Sequence, residues 1–252
     1  MTRHIDLNCD MGEGYGAWRM GQDDALLDLV TSANIACGFH AGDPSIMERT
    51  VKAALARGVS LGAHPSLPDL QGFGRRVMVV TPDEAYGLVL YQIGALNAFV
   101  RAAGGKLHHV KPHGALYNMA VKDAALADAI ARAVRDFDPG LILVGLSGSE
   151  LLRAGRALGL VCASEVFADR GYEPGGSLTP RGTTGAMIED EDIAISRVLR
   201  MIREGVVRSR TGEDVEIQAD TVCIHGDQPQ ALAFARRLRG ALTEEGIEVR
   251  SL

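Results

Sequence analysis

Side chains able to do chemistry recur along this chain at the ends of its apolar stretches. Of seven histidines, five (His40, His64, His109, His113 and His225) stand at the end of a strand-like run or in the turn that follows it. Carboxylates and cations accompany them: Asp10 and Glu13 in "CDMGEG", Lys111 beside His113 in "HVKPHG", Asp169 and Arg170 in "FADRG", and Asp227 after His225 in "IHGDQ". An imidazole beside a carboxylate is suited to moving a proton to or from water near neutral pH. Asp10, His40 and His64 also have the ligand types that hold a divalent ion, although long stretches of sequence separate them. A lysine in an otherwise apolar strand end costs desolvation unless it meets an anion. Lys111 therefore binds an anion, transfers a proton together with His113, or forms a salt bridge with a barrel aspartate. Arg170 and Arg181 have the planar donor fork that clamps a carboxylate or phosphate.

Positioning so many groups requires repeated elements, and the chain supplies them. Strand-like segments fall at 4–10, 32–38, 59–65, 107–113, 141–147, 162–168 and 220–226. Helical spacing fills the intervals: 23–30, 44–57, 81–103, 123–137, 148–158, 189–204 and 228–245. "TPDE" at 81–84 is a strong helix start, and Asp43 before Pro44 reads as a helix cap. Strand and helix alternating seven times predict a parallel sheet. An open sheet would gather functional groups near one switch point only, whereas here polar residues recur at nearly every strand end, as the mouth of a closed barrel requires. The expected fold is one α/β domain over 1–252, a distorted seven-stranded β/α barrel. In the first strand Ile5, Leu7 and Cys9 are expected to face the helices, with Asp6, Asn8 and Asp10 facing the interior. Gly12-Glu13-Gly14 then turns over the mouth and brings Glu13 to it. The Gly-rich stretch 165–182 has the length and composition of a mobile loop over a site.

Composition narrows the function class. The 252 residues are 46% hydrophobic and 23% charged with a net charge of −6, which disfavours a nucleic-acid partner. No apolar run approaches a membrane span, and the N-terminus lacks the apolar core of a signal peptide. The four cysteines form no CxxC pair and read as small buried hydrophobes in a reducing, cytoplasmic setting. No GxxxxGK[ST], no GxGxxG after a strand and no GxSxG occurs, so these residues alone do not signal a nucleotide.

Six motifs in order, "DLNCDMGEGYG", "TSANIACGFHAGD", "GAHPSLPD", "HVKPHGALYN", "EVFADRGY" and "HGD", resemble the LamB/YcsF family from about Ile5 to Gly246. The resemblance implies a barrel of the glycoside hydrolase/deacetylase type. It also implies cleavage of 5-oxo-L-proline to L-glutamate with hydrolysis of ATP to ADP and phosphate, in a 5-oxoprolinase whose A component this chain would be, beside B and C components. Homo-oligomerisation stays open. An unstrained lactam needs an activated carbonyl, which fits a phosphorylated intermediate handled by cations and a base. The candidate catalytic residues are Asp10, Glu13, His40, His64, Lys111 and His113. Candidates for substrate or anion binding are Asn8, Asp169, Arg170, Arg181, His225 and Asp227, and a divalent metal on Asp10, His40 and His64 remains an option beside ATP. The competing readings are a metal-dependent carbohydrate deacetylase and a non-catalytic component that binds substrate or organises a complex.

Overall fold

A computed structural model describes residues 3–224, 226 and 230–252. Seven parallel strands close on themselves: β1 (His4–Met11), β2 (Ser32–Ala36), β3 (Ser60–His64), β4 (Leu107–Val110), β5 (Ile142–Leu146), β6 (Cys162–Phe167) and, after two strands outside the barrel, β9 (Thr221–Ile224), which pairs with both β6 and β1. The helices between them are α1 (Asp23–Leu26), α2 (Pro44–Ala56), α3 (Pro82–Ala102), α4 (Gly114–Ala120), α5 (Ala124–Phe137), α6 (Glu150–Ala157), α7 (Glu191–Glu204) and α8 (Ala231–Glu244). The seven expected strands are all present, and so is the barrel.

Three elements lie outside the sequence reading. A two-stranded antiparallel ribbon, β7 (Val206–Arg208) with β8 (Asp214–Glu216), follows α7. The short helix α4 starts where "HVKPHGALYN" was expected to finish a strand. A two-residue strand, β10 (Glu248–Val249), runs parallel to the start of β1. The first helix is also shorter than expected, ending at Leu26.

Helix starts follow the local chemistry. Thr81 and Glu84 form a reciprocal capping box on α3 with Pro82 in the first turn, and Asp43, Asp123, Ser149 and Asp190 accept backbone N–H groups at the starts of α2, α5, α6 and α7. The apolar faces of strands and helices merge in one core that includes Ile5, Leu7, Ile35, Val89, Ile93, Leu96, Val222 and Leu238. All four cysteines are free, three of them buried and Cys162 half-buried. No described helix is long and apolar enough to cross a membrane.

The barrel interior is polar and layered. At its base Asp6 accepts hydrogen bonds from the hydroxyls of Thr31 and Ser32, both 2.7 Å, and from that of Thr221. Burial pushes the Asp6 carboxyl above the ordinary aspartate range, and the three hydroxyls pull against it. One layer up, Asn8 donates to Thr221 Oγ1 (2.7 Å) and accepts from Asn34 Nδ2 (2.8 Å). Asn34 in turn accepts at Oδ1 from His109 Nε2 (2.8 Å). Room for that imidazole comes from Gly62 on the facing strand, where a Cβ would lie 2.0 Å from His109 Nε2. The β3–β4 register shifts between Leu61 and Gly62. Gly62→Ala is expected to destabilise the fold by about 1–3 kcal/mol or more through overpacking. Urea unfolding measures it, and an unchanged midpoint would show that His109 can move aside.

Candidate functional site

Above these layers the strand ends open into a cavity of about 750 Å³. Its floor is an ion-pair cluster built from β1, β4 and β6. Lys111 leaves the end of β4, tied to β3 by its N–H to Ala63 C=O (2.9 Å), and the residue is 2% exposed. The ammonium lies 2.6 Å from Glu165 Oε1, 3.0 Å from Asp10 Oδ1 and 3.2 Å from Asn8 Oδ1, beside the Phe167 ring. Burial by itself favours the neutral amine, but the Asp10 and Glu165 carboxylates hold the Lys111 pKa well above the ordinary lysine value. Glu165 also accepts from Tyr117 OH of α4 at 2.7 Å, and burial followed by that carboxylate pushes the phenol's pKa well up.

Asp10 is fixed from two sides. Its Oδ1 accepts from Asn34 Nδ2 (2.9 Å) as well as from Lys111, and its Oδ2 is 3.2 Å from His64 Nε2. The other ring nitrogen, His64 Nδ1, lies 2.7 Å from Lys111 C=O. A carbonyl has no proton to give, so Nδ1 carries a hydrogen and donates it there.

His113 and His40 complete the wall. His113 stands at the N-cap position of α4 and is tethered by its N–H to Pro65 C=O (2.8 Å). Its Nε2 donates to Phe73 C=O at 2.9 Å, and Phe73 has φ +56°, an uncommon backbone conformation for a side-chain-bearing residue. The turn carrying Phe73 is braced by Asp69, which accepts from Gly72 N–H (2.9 Å) and ion-pairs with Arg76. Arg76 holds the Asp69 carboxyl down to about 2. Gly114 is required next, because a Cβ there would lie 2.5 Å from Gly74 C=O. His40, fully buried, stacks on His113 with ring centres 3.8 Å apart and planes 8° apart. Burial first, then the neighbouring imidazoles, hold both His40 and His113 well below the usual histidine range, so both are neutral at pH 7.

Of the six residues expected to be catalytic, Asp10, Glu13, His64, Lys111 and His113 line the cavity, and His40 packs behind them. The expected ligand trio Asp10, His40 and His64 is not the group whose ligand atoms converge. Among the described residues that group is Glu13, His40, His64 and His113, all within 4.8 Å of one another, while Asp10 Oδ2 lies 3.2 Å from His64 Nε2.

Among the expected binding residues, Arg170 and Arg181 line the cavity. Arg170 commits Nη2 to Thr179 C=O (2.7 Å) and Nε to Ala186 C=O (3.2 Å). It pins the 168–190 connection instead of waiting as a mobile clamp, and buried Tyr172 anchors the same stretch by accepting the Phe167 N–H. Asn8 is sealed beneath Asp10 with its amide engaged by Thr221, Asn34 and Lys111. Asp169 faces a separate small hollow with Ile188 and Gln230. His225 and Asp227 lie outside the described residues.

Glu165, expected within the strand 162–168 but not among the candidate site residues, is a buried strand residue and the closest partner of Lys111. A carboxylate in the alternating "CASEVF" was the signal that could have found it. Arg75 adds a cation to the cavity wall and stacks over the Phe73 ring at 4.8 Å.

Fold and site together define a parallel β/α-barrel protein whose strand ends carry an acid, histidine and lysine cluster beneath an arginine-bearing rim. The chain belongs to the LamB/YcsF family, whose family model matches residues 5–252. It is 64% identical over 251 residues, the whole of both chains, to the 5-oxoprolinase A subunit of Bordetella pertussis. To the protein of the same name from Bacillus subtilis it is 59% identical over 248 residues, covering 98% of this chain and 96% of the relative. The crystal structure of the lactam utilization protein from Thermus thermophilus superposes with a TM-score of 0.93 at 50% identity, covering 99% of this chain and all of that one. A family 4 carbohydrate esterase from Streptomyces lividans shares the fold at 13% identity, with a TM-score of 0.51 and coverage of 98% and 91%.

Removing the central cation should expose what it neutralises. Lys111→Met leaves Asp10 and Glu165 facing each other without it and is expected to cost about 3–5 kcal/mol of stability. Chemical unfolding measures this, and a cost below about 1 kcal/mol would show that the other donors suffice.

Proposed function

We propose that this chain is the A component of an ATP-dependent 5-oxoprolinase. The observation that carries the reading is identity of 59–64% over essentially the full length of relatives bearing that name, joined to a cavity in which carboxylate, imidazole and cations meet. The enzyme opens 5-oxo-L-proline to L-glutamate, converts ATP to ADP and phosphate, and works in the cytoplasm with its B and C components.

The chemistry balances with two waters. Transfer of the γ-phosphoryl group to the lactam oxygen releases ADP and makes the ring carbon electrophilic. A first water adds to that carbon, the ring C–N bond breaks with the proton passing to nitrogen, and an acyl phosphate remains. A second water converts it to glutamate and phosphate. Asp10 is held rigidly enough to accept the proton of an attacking water, with His64 beside its second oxygen. Lys111 sets the charge of the floor. Arg181 and Arg75 on the wall suit the substrate carboxylate or a phosphoryl group. In the absence of a nucleotide motif on this chain, ATP is bound with or by the partner components.

Reconstitution tests the reading. Glutamate is expected from 5-oxoproline only when the chain, its B and C partners and ATP are all present, and no glutamate from the complete set overturns the proposal. Asp10→Asn should lower kcat by about 100-fold or more. Unchanged turnover in that variant would instead make the chain a binding or organising component, and ATP-independent release of acetate from an acetylated sugar would favour the deacetylase reading.

A further inference from the structure

Four side chains from four successive strand ends converge at one corner of the mouth: Glu13 after β1, His40 after β2, His64 closing β3 and His113 after β4. The separations are 2.9 Å between His64 Nε2 and His113 Nδ1, 3.4 Å between His40 Nε2 and Glu13 Oε1, and 3.5 Å between His113 Nδ1 and Glu13 Oε1. Donor atoms around a tetrahedral zinc lie about 3.3 Å apart, given metal–ligand bonds of about 2.0–2.1 Å.

The hydrogen bonding makes the arrangement specific. Lys111 C=O places the proton of His64 on Nδ1, and Phe73 C=O places that of His113 on Nε2. With those nitrogens engaged, His64 Nε2 and His113 Nδ1 point at each other across 2.9 Å, and His64 Nε2 also lies 3.2 Å from Asp10 Oδ2. Two ring nitrogens at that distance have a proton or a metal ion between them. A shared proton would serve these two rings alone. His40 needs a partner as well, since both its ring nitrogens are buried and make no hydrogen bond. A backbone carbonyl behind each of two imidazoles is also the outer support that metal-bound histidines ordinarily have.

We propose that this chain binds one divalent transition-metal ion, zinc being the best match, through Glu13, His40, His64 and His113. Three imidazoles and one carboxylate suit zinc and its neighbours, whereas magnesium and calcium favour oxygen ligands. Glu13, His64 and His113 line the cavity, so the ion borders the space assigned to substrate. The inference stands apart from the lactam reading, because binding is measured without substrate, ATP or partner components.

The test uses the chelator-treated full chain. Titration with Co²⁺ is expected to saturate at one equivalent with visible d–d absorption, and one equivalent of Zn²⁺ should displace it and raise the melting temperature by several degrees. Glu13→Gln and His40→Ala should each weaken Zn²⁺ binding by about 100-fold or more, while exposed His4→Ala leaves it unchanged. Far-UV circular dichroism confirms that the variants fold, and Glu13→Gln, which preserves side-chain shape, carries the test if His40→Ala does not. A folded wild-type chain that takes up no Co²⁺ or Zn²⁺ overturns the proposal, as does binding that Glu13→Gln leaves intact.

Discussion

One buried ammonium organises this molecule. Lys111 sits where β1, β4 and β6 come together, and its charge is what permits two carboxylates, Asp10 and Glu165, to share the barrel interior. The lysine alone in that setting would favour its free amine, and without it the two carboxylates would be left as uncompensated like charges. The same residue acts a second time through its main chain, because its carbonyl fixes which nitrogen of His64 carries a proton. Side chain and backbone of one residue thus set both Asp10 and the imidazole next to it. The hydrogen bonds below, from Asn8 and Asn34 down to Asp6 and Thr221, keep the strands that carry these groups in register.

Around this floor the two kinds of structure divide their work. The strands hold Asp10, His64 and Glu165 on paired backbone, and the first residues beyond them hold Glu13, His40, Lys111 and His113. Prolines 65 and 112 stop β3 and β4 close to the point where their side chains are needed. Phe73, in its left-handed conformation, trades local backbone comfort for a carbonyl aimed at His113. The 168–190 connection, held by Arg170 and Tyr172, roofs the cavity as packed structure.

Much of this was legible in the sequence because period-two alternation is a direct physical trace of a strand with two unlike faces. Asp6, Asn8 and Asp10 could be placed inside a barrel on that ground alone, and the recurrence of histidines at strand ends pointed to one mouth. What alternation cannot supply is pairing between strands. It gives the face of Asp10 but not that Lys111 and Asn34 would hold its Oδ1, nor that Glu13 and His113 would gather beside His40 and His64. Glu165 was passed over for a related reason: alternation puts it on one face of a strand without saying that Lys111 lies opposite. Helix α4 and the β7–β8 ribbon are too short to leave a periodic signal. That Arg170 would also hold two backbone carbonyls was not legible, because a guanidinium reads the same in sequence whatever it meets.

The closure of the barrel has a temporal meaning as well as a spatial one. Thr221, whose hydroxyl serves both Asp6 and Asn8, lies 215 and 213 residues from them along the chain, and Glu165 lies far from Asp10. During synthesis the first strand emerges with its carboxylates and amide uncompensated, and only the last barrel strand completes their partners. Contacts of such long separation are won late, after the entropy of joining distant segments has been overcome. A nascent chain that has not yet added β9 would therefore hold most of the strands yet have no sealed interior, so the working site is acquired only when that strand emerges.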